Sequence, residues 1–242
     1  MARTGTARSA ADFLPPDPTV PRLRSAAATC RGCELYRDAT QTVFSEGPAR
    51  ARVMFVGEEP GDREDRLGRP FVGPAGRLLD EALAAAGIDR GGVYLTNAVK
   101  HFRFIRKELT KRRLHKKPTT AHLRACQPWL REEIRLVRPV LVVALGSTAA
   151  ESLLGGDFRV TKHRGEIVQS EWAGQVYATV HPSSVLRAPA ETRREARAEF
   201  FRDISGVAAH LRSAGKVASP RPSRPVTAGR PRRTKAGTRR GA

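Results

Sequence analysis

One histidine of this chain lies inside a dense run of positive charge. The run extends from Lys111 to Lys117 and reads Lys-Arg-Arg-Leu-His-Lys-Lys, with His115 as its fifth residue. An imidazole can act as a nucleophile or a base near neutral pH, and the surrounding cations would attract a substrate that carries phosphate. A solvated basic loop is the alternative interpretation of such a run. The segment therefore indicates an enzyme only if other reactive residues converge on His115.

Three cysteines are candidates for a metal centre. Cys30 and Cys33 form a Cys-x-x-Cys pair, and Cys126, the one other cysteine, lies far along the chain. One interpretation is that Cys126 is a small core residue and that the pair is incidental. Zinc bound by three Cys and one His is a second, and an iron–sulfur cluster, whose usual ligands are thiolates, is a third. The spacing alone leaves all three interpretations open.

A short loop bounded by glycines carries three acids. It runs from Gly57 to Asp62 with the sequence Gly-Glu-Glu-Pro-Gly-Asp. Glycine permits a ligand to approach the backbone closely, and the adjacent Glu58 and Glu59 can accept a proton or stabilise a developing positive charge. Capping and solvation are the ordinary roles of acids in such a loop. The loop is therefore a candidate source of acid and base groups.

Other residues have side chains suited to recognising a ligand. Phe71 offers a flat face on which a base can stack, and Asn97 can present both a donor and an acceptor to a pyrimidine edge. His181 can donate a hydrogen bond to an oxyanion. The structural alternatives are a core phenylalanine, a loop-forming asparagine and a buried histidine. Shortly after His181, Leu186 and Arg187 form an apolar wedge with a basic end.

The loops with reactive residues follow short apolar segments that have the length and β-branched content of buried strands. These segments span residues 52–56, 93–96, 140–145 and 176–180. Helical periodicity predicts helices over 74–86, 121–137, 147–154, with Ser147 as its cap, and 191–211. The alternation predicts an α/β protein, a three-layer α/β/α sandwich with a central four-stranded, mainly parallel sheet. Ligands bind beyond the carboxyl ends of such strands, so the loops should open on one rim.

The charge balance indicates a polyanionic partner. The 242 residues carry a formal charge of +20, and 40% of them are hydrophobic, which suffices for one domain with a full core. Residues 216–242 contain nine Lys or Arg and no acid, and without them the charge is still +11. We expect a flexible arm over residues 1–20, a folded domain over 21–213 and a disordered basic tail over 214–242. Nucleic acid is the commonest partner of such a chain.

The sequence predicts a cytoplasmic protein with no membrane partner. No apolar run approaches the roughly 20 residues of a membrane span, and the N-terminus lacks the hydrophobic core of a signal peptide. An odd number of cysteines does not suggest a disulfide framework.

Taken together, these motifs resemble the uracil-DNA glycosylase superfamily, most closely the iron–sulfur branch known as family four and, within it, the X type, UdgX. Five segments agree with that family in order and spacing between about Thr29 and Leu211: CRGCELYRDAT, GEEPGDREDRLGRPFVGPAGRLLD, TNAVKHF, KRRLH and HPSSVLR. The resemblance implies a monomeric enzyme that excises uracil from DNA, accepts single strands and works at the nucleoid. A non-catalytic, cluster-bearing DNA-binding protein is the alternative, but it would not need the pocket residues.

The resemblance also implies a cofactor and its ligands. Family-four relatives carry a cysteine where this chain has His101. This implies that His101 completes a ligand set with Cys30, Cys33 and Cys126. The implied cofactor is a four-iron, four-sulfur cluster with a structural role.

Roles in uracil excision follow from the resemblance. The target base must leave the stack before the bond to its sugar can be reached. Phe71 would stack the ring, Asn97 would read its edge, and His181 would stabilise the departing anion. Leu186 and Arg187 would occupy the gap left in the DNA. The further substrate-binding residues that the resemblance implies are Gly57, Asp62, Arg113 and Ser183.

The X type differs from ordinary members in the basic loop. There a Lys-Arg-Arg-Ile-His sequence supplies a histidine that attacks the sugar carbon and stays bonded. The resemblance implies that His115 is this nucleophile, that Glu58 accepts its other proton and that Arg113 positions the loop or a phosphate. X-type members usually have Gln where this chain has Glu59. A second carboxylate can activate water and restore hydrolytic turnover, which is the alternative outcome.

Overall fold

The computed structural model describes residues 9–107 and 112–217. The strands are β1 (Ser45–Glu46), β2 (Val53–Gly57), β3 (Tyr94–Asn97), β4 (Phe104–Arg106), β5 (Arg113–His115), β6 (Leu141–Leu145), β7 (Ile167–Ser170) and β8 (Gly174–Thr179). The α-helices are α1 (Val20–Ala27), α2 (Asp62–Leu67), α3 (Pro74–Ala85), α4 (Thr120–Val137), α5 (Ser147–Leu154), α6 (Val160–His163), α7 (Pro182–Leu186) and α8 (Ala190–Val217). Three short 3₁₀ helices span Ala10–Phe13, Glu34–Arg37 and Arg90–Gly92.

The main sheet has the strand order β1-β3-β2-β6-β8-β7. Its four inner strands, β3, β2, β6 and β8, are parallel and are the four predicted strands, so the predicted α/β class is confirmed. The predicted strand number is wrong, because β1 and β7 add two antiparallel edges. β1 has only two residues and β7 alternates between exposed and half-buried positions. Neither edge therefore carries the buried apolar run that identifies the inner strands.

Two layers of helices cover the sheet. Met54 and Val56 of β2 pack with residues of α1, α4 and α5, whereas Val53 and Phe55 pack with residues of α3, α7 and α8. Alternate side chains of a strand point to opposite faces, so both faces of β2 are buried. This explains why the strand is a continuous apolar segment. Full burial of each such side chain contributes about 1.5–3 kcal/mol to folding.

Residues 9–20 are more ordered than expected for the predicted arm over residues 1–20, of which residues 1–8 lie outside the described part of the chain. Ser9 caps the 3₁₀ helix Ala10–Phe13, and Ala10 is fully buried in the core. A Cβ placed on Gly32 would lie 2.7 Å from the backbone nitrogen of Ala10. The segment therefore packs directly on the turn between Cys30 and Cys33. Of the predicted tail over 214–242, the residues from 218 onward lie outside the described part of the chain.

The predicted helices are present with small shifts at their ends. The N-cap of α5 is Gly146 (φ 90°) rather than the predicted Ser147, because the backbone there must turn in a conformation that favours glycine. Within residues 9–107 and 112–217, no helix is long and apolar enough to cross a membrane.

The basic segment contributes β5 to a two-stranded sheet with β4, here called the hairpin, which stands apart from the main sheet, and Lys111 lies outside the described residues. β4 and β5 pair antiparallel, and Phe104 lies opposite His115 in the register. The predicted loop is therefore a strand at the histidine itself. Ile105 and Leu114, also opposite each other, are exposed on this hairpin.

Candidate active site

A cavity of about 640 Å³ opens at the carboxyl ends of the four parallel strands. Loops after β2, β3, β6 and β8 line it, and the hairpin contributes from outside the sheet. This is the position that the strand order predicts for a ligand site. The predicted site residues that line the cavity are Glu58, Glu59, Asp62, Phe71, Asn97, His115, His181, Ser183, Leu186 and Arg187.

Two acids of the loop after β2 contact the histidine of the hairpin. His115 Nε2 lies 3.3 Å from Glu58 Oε1 and 3.0 Å from Glu59 Oε1. The second oxygen of Glu58 accepts a hydrogen bond from the hydroxyl of Thr148, in the first turn of α5. His115 is about half exposed, whereas the side chain of Glu59 is fully buried. The sequence motifs did not single out Thr148. The one feature of the sequence that could have indicated it is its position shortly after β6.

The three groups change one another's protonation. Hydrogen bonds to Glu58 and Glu59 raise the pKa of His115 to about 9. Burial raises the pKa of Glu59 to about 7, against the opposing effect of His115. Burial also acts to raise the pKa of Glu58, but the hydrogen bonds from His115 and Thr148 outweigh it and lower that pKa. The site can therefore exchange a proton between an imidazole and a carboxylate near neutral pH.

His181 lies on the other side of the cavity in a different electrostatic environment. Burial lowers the pKa of this imidazole to about 4, so the ring is neutral at physiological pH. Its Nδ1 accepts a hydrogen bond from the backbone N–H of Ser183 at 3.1 Å, and the Ser183 hydroxyl lies 2.7 Å from the same nitrogen. The proton of the neutral ring must therefore be on Nε2. A neutral histidine fixed in this tautomer can donate to an oxyanion.

Phe71 and Asn97 form a close pair in the wall of the cavity. A Cβ on Gly57 would collide with Asn97 Oδ1 and lie 2.8 Å from Phe71 Cζ, so only glycine leaves room for both side chains. Phe71 has a left-handed backbone (φ 56°), which is uncommon for a bulky residue. Its ring stacks with that of His181 at a centroid distance of 6.3 Å. A residue held in such a conformation at a cavity is characteristic of functional sites.

Arg113 does not line the cavity, although it was predicted to contact substrate. Its guanidinium pairs with Asp62 at 2.5 Å and with Asp65 at 2.6 Å, and its side chain is 7% exposed. It also donates to the hydroxyl of Thr40. Because Asp62 and Asp65 of α2 pair with its guanidinium, Arg113 anchors the hairpin to α2. His115 lies on the same hairpin. These contacts favour the predicted role in positioning the loop over the predicted role in binding phosphate, and both roles stay predictions.

Leu186 and Arg187 lie at the rim. Both side chains are exposed where α7 ends, and Leu186 is among the large apolar residues that solvent reaches. An exposed leucine next to a cation beside a cavity can insert into a partner's structure while the cation contacts phosphate. Their position agrees with the predicted wedge.

The three cysteines among the predicted metal ligands lie on one side of the sheet. Cys30 and Cys126 are buried in the same core cluster, and Cys33 packs against it. Burial raises the pKa of the Cys126 thiol to about 12 and that of Cys33 to about 11, and the thiols add to each other's shift. Within the described chain, no three donor atoms of this set come within 4.8 Å of one another. A tetrahedral zinc would hold them about 3.8 Å apart, so a larger cluster fits better than a single ion.

Hydrogen bonds around these residues are consistent with sulfur and nitrogen ligation. The indole N–H of Trp129 donates to Cys30 Sγ at 3.4 Å, and the backbone N–H of Lys100 donates to Cys126 Sγ at 3.3 Å. Thr42 donates its hydroxyl proton to a backbone carbonyl, so it accepts from His101 Nε2–H at 2.9 Å. Burial lowers the pKa of His101 to about 4. The neutral ring then keeps the lone pair of Nδ1 for a ligand bond.

A buried ion pair joins this region to the cavity. Lys100 Nζ lies 2.5 Å from Glu133 Oε2 and donates to the backbone carbonyl of Asn97 at 2.9 Å. Both charged side chains are fully buried. Glu133 is on α4, the helix that carries Cys126. The ion pair therefore fixes Asn97, which faces the cavity, relative to the predicted ligand Cys126. The sequence motifs did not indicate this ion pair.

The fold and the cavity define a class of protein: an α/β sandwich with an acid–histidine pair and a neutral histidine at the carboxyl ends of parallel strands. Comparison with known families identifies the group within that class. A model of the uracil DNA glycosylase superfamily matches residues 44–205, and the chain belongs to this superfamily.

Curated relatives cover most of the chain. A type-4 uracil-DNA glycosylase of Thermotoga maritima is 36% identical over 189 residues, which are 77% of this chain and 91% of that protein. A type-4 uracil-DNA glycosylase of Pyrobaculum aerophilum is 34% identical over 191 residues, 76% of this chain and 90% of the relative. A type-5 uracil-DNA glycosylase of the same organism is 35% identical over 184 residues, 67% of this chain and 76% of the relative.

Proposed function

We propose that this protein is a uracil-DNA glycosylase that excises uracil and is then captured covalently at the abasic sugar through His115. The excision part is supported by membership of the superfamily and by the similarity to type-4 enzymes. The capture part is supported by one observation: His115 lines the cavity while contacting Glu58 at 3.3 Å.

Excision breaks the bond between the sugar carbon C1′ and uracil, and the bonding electrons leave with the base. Phe71 stacks the extruded ring and Asn97 hydrogen-bonds its edge. Negative charge grows on the uracil oxygens, where the Nε2–H of the neutral His181 donates. Positive charge grows on the sugar, where Glu58 stabilises it. Leu186 and Arg187 fill the gap in the DNA.

Capture uses the carbon that excision leaves electron-deficient. One nitrogen of the neutral His115 imidazole gives its lone pair to C1′ and forms a carbon–nitrogen bond. The other ring nitrogen then passes its proton to Glu58, so the product is an uncharged alkylated imidazole beside a protonated carboxyl. A ring held inside the cavity outcompetes water because it is already close to the reacting carbon.

The cofactor in this proposal is a four-iron, four-sulfur cluster. Cys30, Cys33 and Cys126 would hold it through sulfur and His101 through Nδ1. The cluster would supply structural cross-linking rather than electron transfer. The ion pair of Lys100 and Glu133 then keeps Asn97 in register with α4.

The proposed partner is uracil-containing DNA, with single strands accepted. A formal charge of +20 favours association with phosphate in a salt-dependent way. We further propose that the protein acts as a monomer on cytoplasmic, nucleoid DNA, with residues 21–213 as the glycosylase domain.

The test is a denaturing gel of the cluster-loaded protein incubated with a uracil-containing single strand. A shifted protein–DNA band should form with the wild type and disappear with His115→Ala, which should still release uracil. An identical oligonucleotide with thymine in place of uracil is the control and should give no band. Free DNA with an abasic site and no shifted band from the wild type would refute capture.

A turnover glycosylase is the second candidate, and Glu59 is the observation that favours it. This buried carboxylate lies 3.0 Å from His115 and has a pKa raised to about 7 by burial, so it can accept a proton from an attacking water. Repeated release of uracil in excess over enzyme, with Glu59→Gln converting the enzyme to a single turnover, would support it.

A further inference from the structure

Three donor atoms converge at the mouth of the cavity in a way that the glycosylase reaction does not require. They are one carboxylate oxygen each of Glu58 and Glu59 and one ring nitrogen of His115, and all three lie within 4.8 Å of one another. Among residues 9–107 and 112–217, no other set of three His, Cys, Asp or Glu donor atoms comes this close together.

The distances match those across a tetrahedral zinc ion. His115 Nε2 lies 3.3 Å from the Glu58 oxygen and 3.0 Å from the Glu59 oxygen. Ligands bonded to zinc at about 2.0–2.1 Å in a tetrahedron lie about 3.3 Å from one another. A zinc ion can therefore bind between His115 and the two glutamates without a large change in the distance from His115 to either of them.

Glu59 supplies an independent indication of a missing ligand. Its side chain is fully buried, and apart from the 3.0 Å contact with His115 neither carboxylate oxygen has a hydrogen-bond partner of good geometry among the described residues. A buried carboxylate in this condition is costly, and a bound cation is one of the ways in which proteins compensate it.

We infer that Glu58, Glu59 and His115 form a reversible binding site for a divalent first-row metal ion, with zinc as the best match. One imidazole and two carboxylates leave a fourth position open to the cavity, which is the arrangement of an accessible rather than a structural zinc site. Magnesium is a poorer match, because it prefers six oxygen ligands and keeps its waters. The ion takes the place of the proton that otherwise joins the imidazole to the acids.

The site has a consequence for the proposed capture, and this consequence alone rests on the proposed function. A neutral imidazole bonded to the ion through Nε2 carries its proton on Nδ1, so it has no free lone pair for C1′, and the bound Glu58 cannot accept that proton. Zinc would therefore suppress formation of the covalent adduct, and a chelator would restore it. Binding of the ion itself does not depend on whether the protein excises uracil.

The test is calorimetric titration of the full-length, cluster-loaded protein with zinc ions, with metal content measured after dialysis. Absorbance of the cluster and iron content are followed so that zinc binding at the cysteines is detected separately. We expect one zinc site in the wild type that is weakened by at least about tenfold in Glu59→Gln and in His115→Ala.

A matched control comes from the surface of the same chain. His163 Nδ1 lies 2.9 Å from Glu166 Oε2, an exposed histidine–carboxylate pair with no third ligand. His163→Ala should leave zinc binding unchanged. Magnesium should bind at least about tenfold more weakly than zinc in the wild type.

Equal zinc affinity in the wild type, Glu59→Gln and His115→Ala would overturn the site, as would binding of magnesium as tight as that of zinc. Loss of zinc binding in His163→Ala would also contradict it. Zinc binding that survives intact while no uracil is released would leave this inference standing and count against the proposed function instead.

Discussion

Two histidines face the same cavity and have opposite properties. His115, on the hairpin, is half exposed and lies between two carboxylates, which raise its pKa to about 9. His181, at the start of α7, is half-buried beside Phe71, and desolvation of its ring lowers its pKa to about 4. The first is a cation that can lose a proton to its neighbours. The second is a neutral donor whose tautomer the backbone of Ser183 fixes.

The difference shows that the environment, rather than the residue type, assigns the role. A proton that can be removed gives an imidazole with a lone pair, which is a nucleophile. A proton that is held on one nitrogen of a neutral ring gives a fixed hydrogen-bond donor for an anion. In the proposed mechanism, bond formation therefore falls to the hairpin side of the cavity and stabilisation of the departing base to the α7 side.

The largest expected effect is that substitution of the two histidines has different consequences for uracil release and adduct formation. His181→Ala should slow uracil release by about 10²- to 10³-fold, because one donor to the departing anion is lost. His115→Ala should leave release within about tenfold of the wild type and abolish the adduct. Release rates under single-turnover conditions and denaturing gels measure the two effects. Equal loss of release in both variants would contradict the division of roles.

A pH series sharpens the same comparison without substitution. His115 must be neutral to attack, and its pKa of about 9 means that the neutral fraction grows as the pH rises toward 9. Between pH 7.5 and 9, adduct formation should rise about tenfold while uracil release stays level, because His181 is neutral throughout this range. The ratio of adduct to released uracil is the quantity to measure. A ratio that falls with pH would be inconsistent with a neutral nucleophile.

Substitution of two glycines tests the α7 side of the cavity alone. Gly146 (φ 90°) and Gly155 (φ 97°) share a backbone conformation that strains any other residue, but only a Cβ on Gly146 would meet His181, at 2.9 Å from its Cβ. Each substitution to Ala should cost about 1–3 kcal/mol of unfolding free energy. Only Gly146→Ala should also slow uracil release, by several-fold to about tenfold. Denaturant unfolding and release rates provide the two readouts.

If Gly155→Ala slows release as much as Gly146→Ala does, the effect comes from α5 as a whole and not from displacement of His181.

The smallest expected effect concerns the support of Glu58. Thr148 donates its hydroxyl to this carboxylate, and an intramolecular hydrogen bond typically contributes a net of about 0.5–1.5 kcal/mol. Thr148→Val should slow adduct formation several-fold and change uracil release less. Thr148→Ser, which keeps the hydroxyl, should behave like the wild type. Failure of the serine variant to restore capture would show that packing, rather than the hydrogen bond, is what Thr148 provides.

The sequence predicts the sheet and the rim well because both depend on local patterns. The four inner strands are apolar on both faces, and the residues just after them, such as Glu58, Asn97 and His181, must meet at one edge. The edge strands have no such pattern. The order of residues 9–20 depends on the close packing of Ala10 against Gly32, which becomes visible only when the chain is folded.

The missed contributions to the site are long-range pairings. Arg113 is locally one cation among many, and only the fold brings it to Asp62 and Asp65. The same holds for Lys100, whose partner Glu133 is on a distant helix. A spacing rule cannot detect such pairs, because nothing in the local sequence marks which charge will be buried.

The most direct test of the central claim is to locate the covalent bond. The wild-type protein is incubated with a uracil-containing single strand, digested, and analysed by mass spectrometry. The account predicts a peptide containing His115 whose added mass is that of the DNA fragment without uracil, with the modification on the imidazole. A modification on another residue, or abasic DNA released with no modified peptide, would contradict it.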